Sequence, residues 1–163
     1  MTLWRATGEA AFAADLTRPD TLHLAIRRSP HAHARVTGVD LADARALPGV
    51  VAALTADDAG GLLQPVLRYV GDRAAVVAAE DPELARRAAD LVRLDLEPLP
   101  TVLDPEAALR DPERVAARVE VAIGDVDEAL TRAERVVEGT WTFPFAPAVP
   151  LEPPVALTWL DED

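Results

Sequence analysis

The sequence predicts an α+β fold, and three stretches of it carry that prediction. Residues 21–28 and 92–97 alternate apolar and polar side chains, which is the period of a half-buried β-strand. Asp81 and Pro82 open an alanine-rich stretch whose apolar residues recur at helical spacing. Because strands and helices alternate along the chain, both kinds of element are expected to share a core.

The remaining elements of the first hundred residues follow from shorter signals. Residues 74–79 are apolar on both faces, which predicts a central buried strand. Asp40 is a good cap for a short helix that reaches Leu47, where Pro48-Gly49 stops it. Weaker elements complete this region: a strand at 34–39, a strand at 50–55 and a helical turn capped by Thr55 and Asp58.

A change in composition between residues 98 and 112 marks a domain boundary. Four prolines fall there, at Pro98, Pro100, Pro105 and Pro112. We therefore expect one domain at residues 1–103 and a second, β-rich piece at 104–163. The elements predicted in that piece are a helical turn at 106–109, a strand at 119–123, a helix opened by Asp125 with Glu128 at capping-box spacing, a strand at 135–143, a proline-rich crossing at 144–154 and a strand at 155–160.

Composition excludes several classes of function. The 163 residues are 50% apolar and 27% charged, so a globular core is expected. No apolar run approaches the roughly 20 residues of a membrane span, and no signal sequence follows Met1, which favours the cytoplasm. The net charge of −12 argues against nucleic acid as a partner. Since the chain lacks cysteine and lysine, it offers no disulfide, thiolate, iron–sulfur ligand or Schiff-base amine.

The segment Ser-Pro-His-Ala-His at residues 29–33 is the most suggestive local pattern for a metal. On a strand, His31 and His33 would point the same way and could share an ion. A zinc site needs three or four ligands, however, and nothing brings the third histidine, His23, near them. A turn whose histidines pack or cap backbone groups is the favoured interpretation, so no metal site is predicted.

Nucleophilic and nucleotide-binding patterns are equally incomplete. Ser29, the single serine, could be combined with His31 and an aspartate, but it lacks the Gly-x-Ser-x-Gly elbow and Pro30 follows it directly. Its expected place is the turn. No Gly-x-Gly-x-x-Gly follows a strand, so Gly60-Gly61 and Gly71 are interpreted as turns. No catalytic, cofactor-binding or metal-binding residue is predicted in this chain.

Segments spread along most of the chain carry a family resemblance. In the first part they are Gly8 to Asp15 with Leu22-His23, Arg28-Ser-Pro-His-Ala-His-Ala-Arg35, Leu47 to Asp58, Arg68-Tyr-Val-Gly71, Ala75 to Glu80 and Leu96 to Pro100. In the second part they are Gly124 to Ala129, Val136 to Thr140 and Leu151-Glu-Pro153. Their order and spacing resemble the molybdenum hydroxylases, the family of xanthine dehydrogenases and aldehyde oxidases.

This resemblance implies an α/β hammerhead domain at residues 1–103 and the beginning of the first molybdopterin-binding domain at 104–163. The family hydroxylates purines, aldehydes or N-heterocycles at a molybdopterin-type molybdenum cofactor. Its electrons leave through iron–sulfur clusters and often FAD on other parts of the enzyme. The family's metal-contacting loops and catalytic glutamate follow the point where this sequence ends. The resemblance therefore implies no cofactor and no catalytic residue in this chain itself.

Two departures from the family bear on contacts. Residues 60–67 form a shorter connection than is usual in the family. Asp72-Arg73 stands where the family generally has an acidic residue or glutamine followed by proline. Both departures affect the contacts expected between the hammerhead and a substrate channel or a neighbouring subunit.

The expected function is that of a non-catalytic N-terminal segment or split small subunit, which supports the cofactor domains of a cytoplasmic molybdenum hydroxylase. The alternative is a stand-alone interaction module that reuses the hammerhead fold without molybdenum. The expected partner is the remaining molybdopterin-binding portion, with neither nucleic acid nor membrane involved. The apolar strands expected at residues 135–160 would be uncovered, so this region is predicted either to fold back onto the hammerhead or to pair with a second copy. The homodimer is the favoured alternative.

Overall fold

Strands and short helices alternate within residues 6–59, 61–112, 115 and 117–161, which the computed structural model describes. The elements in chain order are a 3₁₀ turn Ala13–Asp15, β1 His23–Arg28, β2 Ala34–Asp40, α1 Ala42–Arg45, β3 Val50–Leu54, β4 Val66–Leu67, β5 Arg73–Ala79, α2 Pro82–Leu91, β6 Arg93–Pro98, α3 Pro105–Leu109 and α4 Val126–Arg132. The predicted α+β class is confirmed. The turn predicted at Gly60 lies outside the described residues.

Two antiparallel three-stranded sheets organise the first hundred residues. In sheet A, β5 lies between β1 and β3; in sheet B, β2 lies between β4 and β6. Strand β5 is therefore the central buried strand that its sequence predicts, and Ala75 and Val77 on it are fully buried.

Helix α2 covers one face of sheet A, and its sequence explains where it begins. Asp81 Oδ1 accepts the backbone N–H groups of Glu83 and Leu84, both at 2.9 Å, and Pro82 occupies the first turn. The buried face of the helix is built of small residues: Ala85, Ala88 and Ala89. The predicted cap and helix are both confirmed.

A small apolar core lies between sheet A and the two helices of this region. Its buried members are Leu41, Ala44, Ala53, Ala75, Val77, Ala88, Ala89 and Val92. Val39 and Leu94 of sheet B pack against its edge, which joins the two sheets. Helix α1 ends at Arg45, earlier than the predicted Leu47, and Asp40 Oδ1 accepts the N–H of Ala42 at 2.9 Å at its start.

Three strands predicted in the second half are not formed. Residues 119–123, 135–143 and 155–160 belong to no strand in the described part of the chain. Apolar alternation can give a segment one apolar face, but a strand also needs a neighbour for its backbone hydrogen bonds. None of the described strands pairs with these residues, so the β-rich character predicted for residues 104–163 is wrong there.

The local helices of that region are formed, because a helix supplies its own hydrogen-bond partners. Asp104 caps α3 by accepting the N–H of Glu106 at 3.0 Å. Asp125 caps α4 by accepting the N–H of Glu128 at 2.8 Å, as the spacing predicts. The residues of α4 are exposed, including Leu130 at 53%.

The contacts within the chain define two units. Unit 1 comprises Met1–Thr101 and Val155–Asp163, and unit 2 comprises Val102–Pro154. Unit 1 contains both sheets with α1 and α2, whereas unit 2 contains α3 and α4. The domain division predicted between residues 103 and 104 stays a prediction.

Candidate functional site

The turn that begins at Ser29 is clasped to the loop at residues 68–72. The Ser29 N–H donates to the Asp72 carbonyl oxygen, and the Gly71 N–H donates to the Ser29 carbonyl oxygen, each at 2.8 Å. Arg28 Nη1 also donates to the Gly71 carbonyl oxygen at 2.8 Å. Residues 28–31 and 68–73 thus form one structure, here called the loop corner, where β1 ends and β5 begins.

Asp72 is the buried acid of the loop corner, with 9% of its surface exposed. Its Oδ2 accepts the backbone N–H of Arg68 at 2.9 Å, and its Oδ1 accepts that of Arg73 at 2.8 Å. The carboxylate therefore holds the loop in shape. From the sequence, Asp72 stands out only as a departure from the family pattern. Its position next to Gly71 is the one sequence feature that could have predicted its role, because aspartate beside glycine is typical of turns.

Ser29 uses its hydroxyl within its own turn, as the sequence predicts. It is 3% exposed, its Oγ donates to the His31 carbonyl oxygen at 2.8 Å, and it accepts the His31 N–H at 3.1 Å. Within the described residues its hydroxyl bonds to no histidine ring. This arrangement does not suit a nucleophile, because the oxygen is enclosed and already bonded.

The three histidines are not brought together. His33 Nδ1 lies 2.7 Å from the Pro100 carbonyl oxygen, the side chain of His31 is exposed at the loop corner, and His23 lies at the opposite end of β1. In the described ranges no group of three histidine, aspartate or glutamate residues is arranged to hold a metal ion.

The described clefts are open and lack a catalytic arrangement. One cleft of 600 Å³ is lined by Arg18, Asp20, His23 and Glu80, together with neighbouring residues. Within the described residues, no hydrogen bond or ion pair links any two of these four side chains. A smaller cleft of 190 Å³ lies between residues 36–39 and 55–57. Without a bonded nucleophile and base, neither cleft has the geometry of acid–base or nucleophilic catalysis.

One face of sheet A is apolar and open. Cross-strand rows alternate between the two faces, and the row Ala25, Val77 and Ala53 points toward α2. The rows on the other face are Leu24–Ala78–Ala52 and Ile26–Val76–Leu54, and these six residues are called the open face. Leu24 is 72% exposed and Leu54 is 38% exposed.

The segment 155–161 lies against the residues that precede β1. The guanidinium carbon of Arg18 is 4.5 Å from the centroid of the Trp159 ring, which is a cation–π geometry. Trp159 Nε1 donates to Asp161 Oδ1 at 2.9 Å. A cleft of 580 Å³ separates residues 15–18 from residues 155–159. Residues 155–161 do not form the strand predicted at 155–160. They belong to unit 1.

Comparison with characterised proteins assigns the sheets to a known domain. Residues 7–67 match the family described as "Aldehyde oxidase and xanthine dehydrogenase, a/b hammerhead domain". The chain is 36% identical to the 6-hydroxypseudooxynicotine dehydrogenase complex subunit gamma of Paenarthrobacter nicotinovorans, with 90% of this chain and 22% of the relative covered. It is 30% identical to the nicotinate dehydrogenase large molybdopterin subunit of Eubacterium barkeri, with 99% and 43% covered.

Solved structures agree with this assignment. Quinoline 2-oxidoreductase from Pseudomonas putida 86 superimposes with a TM-score of 0.60 at 38% identity, over 65% of this chain and 16% of that one. Aldehyde oxidoreductase from Desulfovibrio gigas gives a TM-score of 0.61 at 29% identity, over 68% and 15%.

The chain spans less than half the length of these relatives. None of the helices in the described ranges is long and apolar enough to cross a membrane. The matched residues build both β1 and β2 and contain Ser29, whose hydroxyl shapes the loop corner. The chain therefore contains an α/β hammerhead domain of the aldehyde oxidase and xanthine dehydrogenase type.

Proposed function

We propose that the chain is the non-catalytic supporting part of a molybdenum hydroxylase. It would hold the molybdopterin-binding portion of that enzyme in place and help shape the approach to its active site. The observation that carries this proposal is the open face, an apolar sheet surface on a domain of this family. The names of the relatives, which include a large molybdopterin subunit, support the same assignment.

The open face is suited to docking because burying it would remove apolar surface from water. Its rows are formed by aliphatic side chains from three strands, and Leu24 alone leaves 72% of its surface exposed. A sheet with one face covered by helices is stabilised further when a second layer covers the other face. Exposed apolar patches of this kind mark interaction surfaces.

The described residues do not fit a metal cofactor held by protein ligands. The sequence has no cysteine, and the described ranges hold no three-residue cluster of histidine and carboxylate groups. In this proposal the molybdenum cofactor, the iron–sulfur clusters and FAD are bound by other parts of the enzyme. This chain would act by rigidity, because α2 covers one face of the docking sheet and the loop corner joins the end of β1 to the start of β5.

The test is complex formation with the molybdopterin-binding protein encoded beside this chain, followed by gel filtration and calorimetric titration. Leu24→Gln should weaken the complex by roughly tenfold or more, since burying a leucine contributes about 1.5–3 kcal/mol. Leu62→Gln is the matched control, because Leu62 is 69% exposed but lies in the loop before β4. The control should bind like the unmodified chain.

Two results would contradict the proposal. One is a neighbouring gene that encodes no molybdopterin-binding protein, or one whose product forms no complex with this chain. The other is equal binding by the Leu24 and Leu62 variants, which would remove the open face from the interface. Molybdenum analysis of protein purified from the native host discriminates the alternative: near one molybdenum per chain excludes a stand-alone module without molybdenum. The cytoplasmic location stays a prediction, which cell fractionation would test.

A further inference from the structure

Three exposed arginines, Arg28, Arg68 and Arg73, belong to the loop corner of a strongly acidic chain. Arg28 and Arg73 are direct partners across β1 and β5. The backbone N–H groups of Arg68 and Arg73 bind the two oxygens of the same Asp72 carboxylate. All three arginine side chains are exposed. These residues are called the arginine trio, and they place positive charge together on a protein of net charge −12.

The charge of the arginine trio is not compensated by an ion pair. Within the described residues, no carboxylate lies within 4.0 Å of a nitrogen of the three side chains. The arginines that do form ion pairs are Arg27, Arg35, Arg86, Arg93 and Arg132. The nearest acid in sequence, Asp72, is buried and directs both oxygens to backbone N–H groups. The guanidinium groups therefore keep donors that can reach a carboxylate from outside.

The surroundings of the trio are those of a protein interface. Tyr69 and Val70, which lie between the arginines on the loop, are 55% and 65% exposed. Arg28 ends β1 and Arg73 begins β5, so the trio lies at the end of sheet A that is nearest the row Ile26–Val76–Leu54 of the open face. Tyrosine and arginine beside an apolar surface are the residue types enriched at protein interfaces.

We propose that the arginine trio binds aspartate or glutamate side chains on the protein that covers the open face. This inference rests on the proposed function, and it adds the chemistry that orients the partner. The guanidinium fork matches a carboxylate in two parallel hydrogen bonds. A small anion such as phosphate is disfavoured, because the trio lines none of the described clefts and would leave the anion in water.

The loop corner prepares the trio for binding. Arg28 is anchored to the Gly71 carbonyl oxygen at 2.8 Å, and the Ser29 and Asp72 bonds fix the backbones that carry the other two arginines. A surface that is ordered before binding loses less conformational entropy when the partner docks. The polar corner would then set the orientation of the partner, while the open face supplies the apolar contact.

The deciding experiment is titration of the complex with the double variant Arg68→Gln/Arg73→Gln at low and high salt. Arg28 is kept because its guanidinium also holds the loop. Loss of two charged contacts should weaken binding about tenfold at low salt, with a smaller difference at high salt. Arg35→Gln/Arg86→Gln removes the same charge from two exposed arginines elsewhere in unit 1, and should leave the affinity within about twofold. Circular dichroism and thermal unfolding check that both variants are folded.

A second probe separates this inference from the proposed function. Fluorescent poly-L-glutamate should bind the unmodified chain and the Arg35/Arg86 variant at low salt, and should fail to bind the Arg68/Arg73 variant. If the complex forms, its titration tests the arginine trio, and equal affinity of the two double variants would overturn the proposal. If no complex forms, the proposed function fails, and the binding of poly-L-glutamate tests the trio instead. Saturable binding of inorganic phosphate at the trio without poly-L-glutamate binding would assign it to a small anion and overturn the proposal.

Discussion

At the scale of single residues, Gly49 and Gly38 allow the effect of backbone strain to be compared with the effect of side-chain crowding. Gly49 precedes β3 with a φ of +87°, and its carbonyl oxygen accepts the Glu80 N–H at 3.0 Å. A Cβ at this position would lie 2.8 Å from Leu84 Cδ2. A Cβ at Gly38 would lie equally close, 2.8 Å, to Asp95 Oδ2, but Gly38 is not among the residues with positive φ. Of these two glycines, only Gly49 therefore requires the left-handed conformation that other residues avoid.

Gly49→Ala should lower the free energy of unfolding by about 1–2 kcal/mol, because an L-residue with positive φ is strained by that amount. Gly38→Ala should change it by less than about 0.5 kcal/mol, because the exposed Asp95 side chain can rotate away. Urea unfolding followed by circular dichroism measures both. Similar losses in the two variants would mean that crowding, and not backbone strain, determines the choice of glycine at position 49.

Ser29 and Asp72 illustrate what can be predicted at this scale. The turn role of Ser29 follows from its own neighbours, since Pro30 comes next and a serine hydroxyl bonds readily to nearby backbone. The burial of Asp72 depends on the Ser29 turn, which lies 43 positions earlier and is joined to the Asp72 loop through Arg28 and Gly71. A contact between loops so distant in sequence leaves no local signal.

At the scale of elements, helix caps give another internal comparison. Asp81 and Asp125 each occupy the residue before a helix and accept its first free N–H groups. The buried face of α2 belongs to the core, through Ala88 and Ala89, whereas the residues of α4 are exposed. The same capping bond therefore stabilises the folded core in one helix and only local structure in the other.

Asp81→Ala should lower the free energy of unfolding by about 1 kcal/mol, the usual effect of losing a capping side chain. In a domain of this size that loss corresponds to roughly 4–8 °C in the melting temperature. Asp125→Ala should reduce helical circular dichroism slightly and leave the main melting transition in place. A fall in melting temperature of the same size in the second variant would show that α4 contributes to the cooperative core.

The elements that the sequence predicts correctly have signals of a local kind. The signals for α2 and α4 are capping aspartates a few residues from the N–H groups that they accept, so the sequence contains both partners. The signal for β5 is an apolar run that predicts burial on both faces. By contrast, β4 was missed because its two residues are defined by pairing with Ala34 and Arg35. The strand predicted at 135–143 failed for the converse reason, because its alternation specifies no neighbour.

At the scale of the whole molecule, apolar surface is left exposed in both units. Unit 1 has the open face, and unit 2 has Trp141 at 73% exposure, Phe143 at 83% and Phe145 at 92%. Aromatic side chains bury large areas when they are covered, so their exposure favours association. The homodimer predicted through residues 135–160 would cover them. The alternative is that this region folds back onto the hammerhead. Its last part fits that alternative, since residues 155–161 belong to unit 1 and Trp159 stacks on Arg18.

If the dimer forms, light scattering at several protein concentrations should show a mass that rises from about one chain toward two, since association follows mass action. The double variant Trp141→Ser/Phe143→Ser should shift that transition to roughly tenfold higher concentration or more, because it removes two large apolar side chains. Its hammerhead should stay intact, because both positions lie in unit 2 and the core residues of sheet A lie in unit 1. Trp159→Ser is the comparison: it removes the Arg18 contact and should loosen residues 155–161 toward protease, while it leaves Trp141 and Phe143 in place. A strict monomer whose residues 135–160 resist protease would refute the dimer, and would mean that the aromatic segment is covered by its own chain.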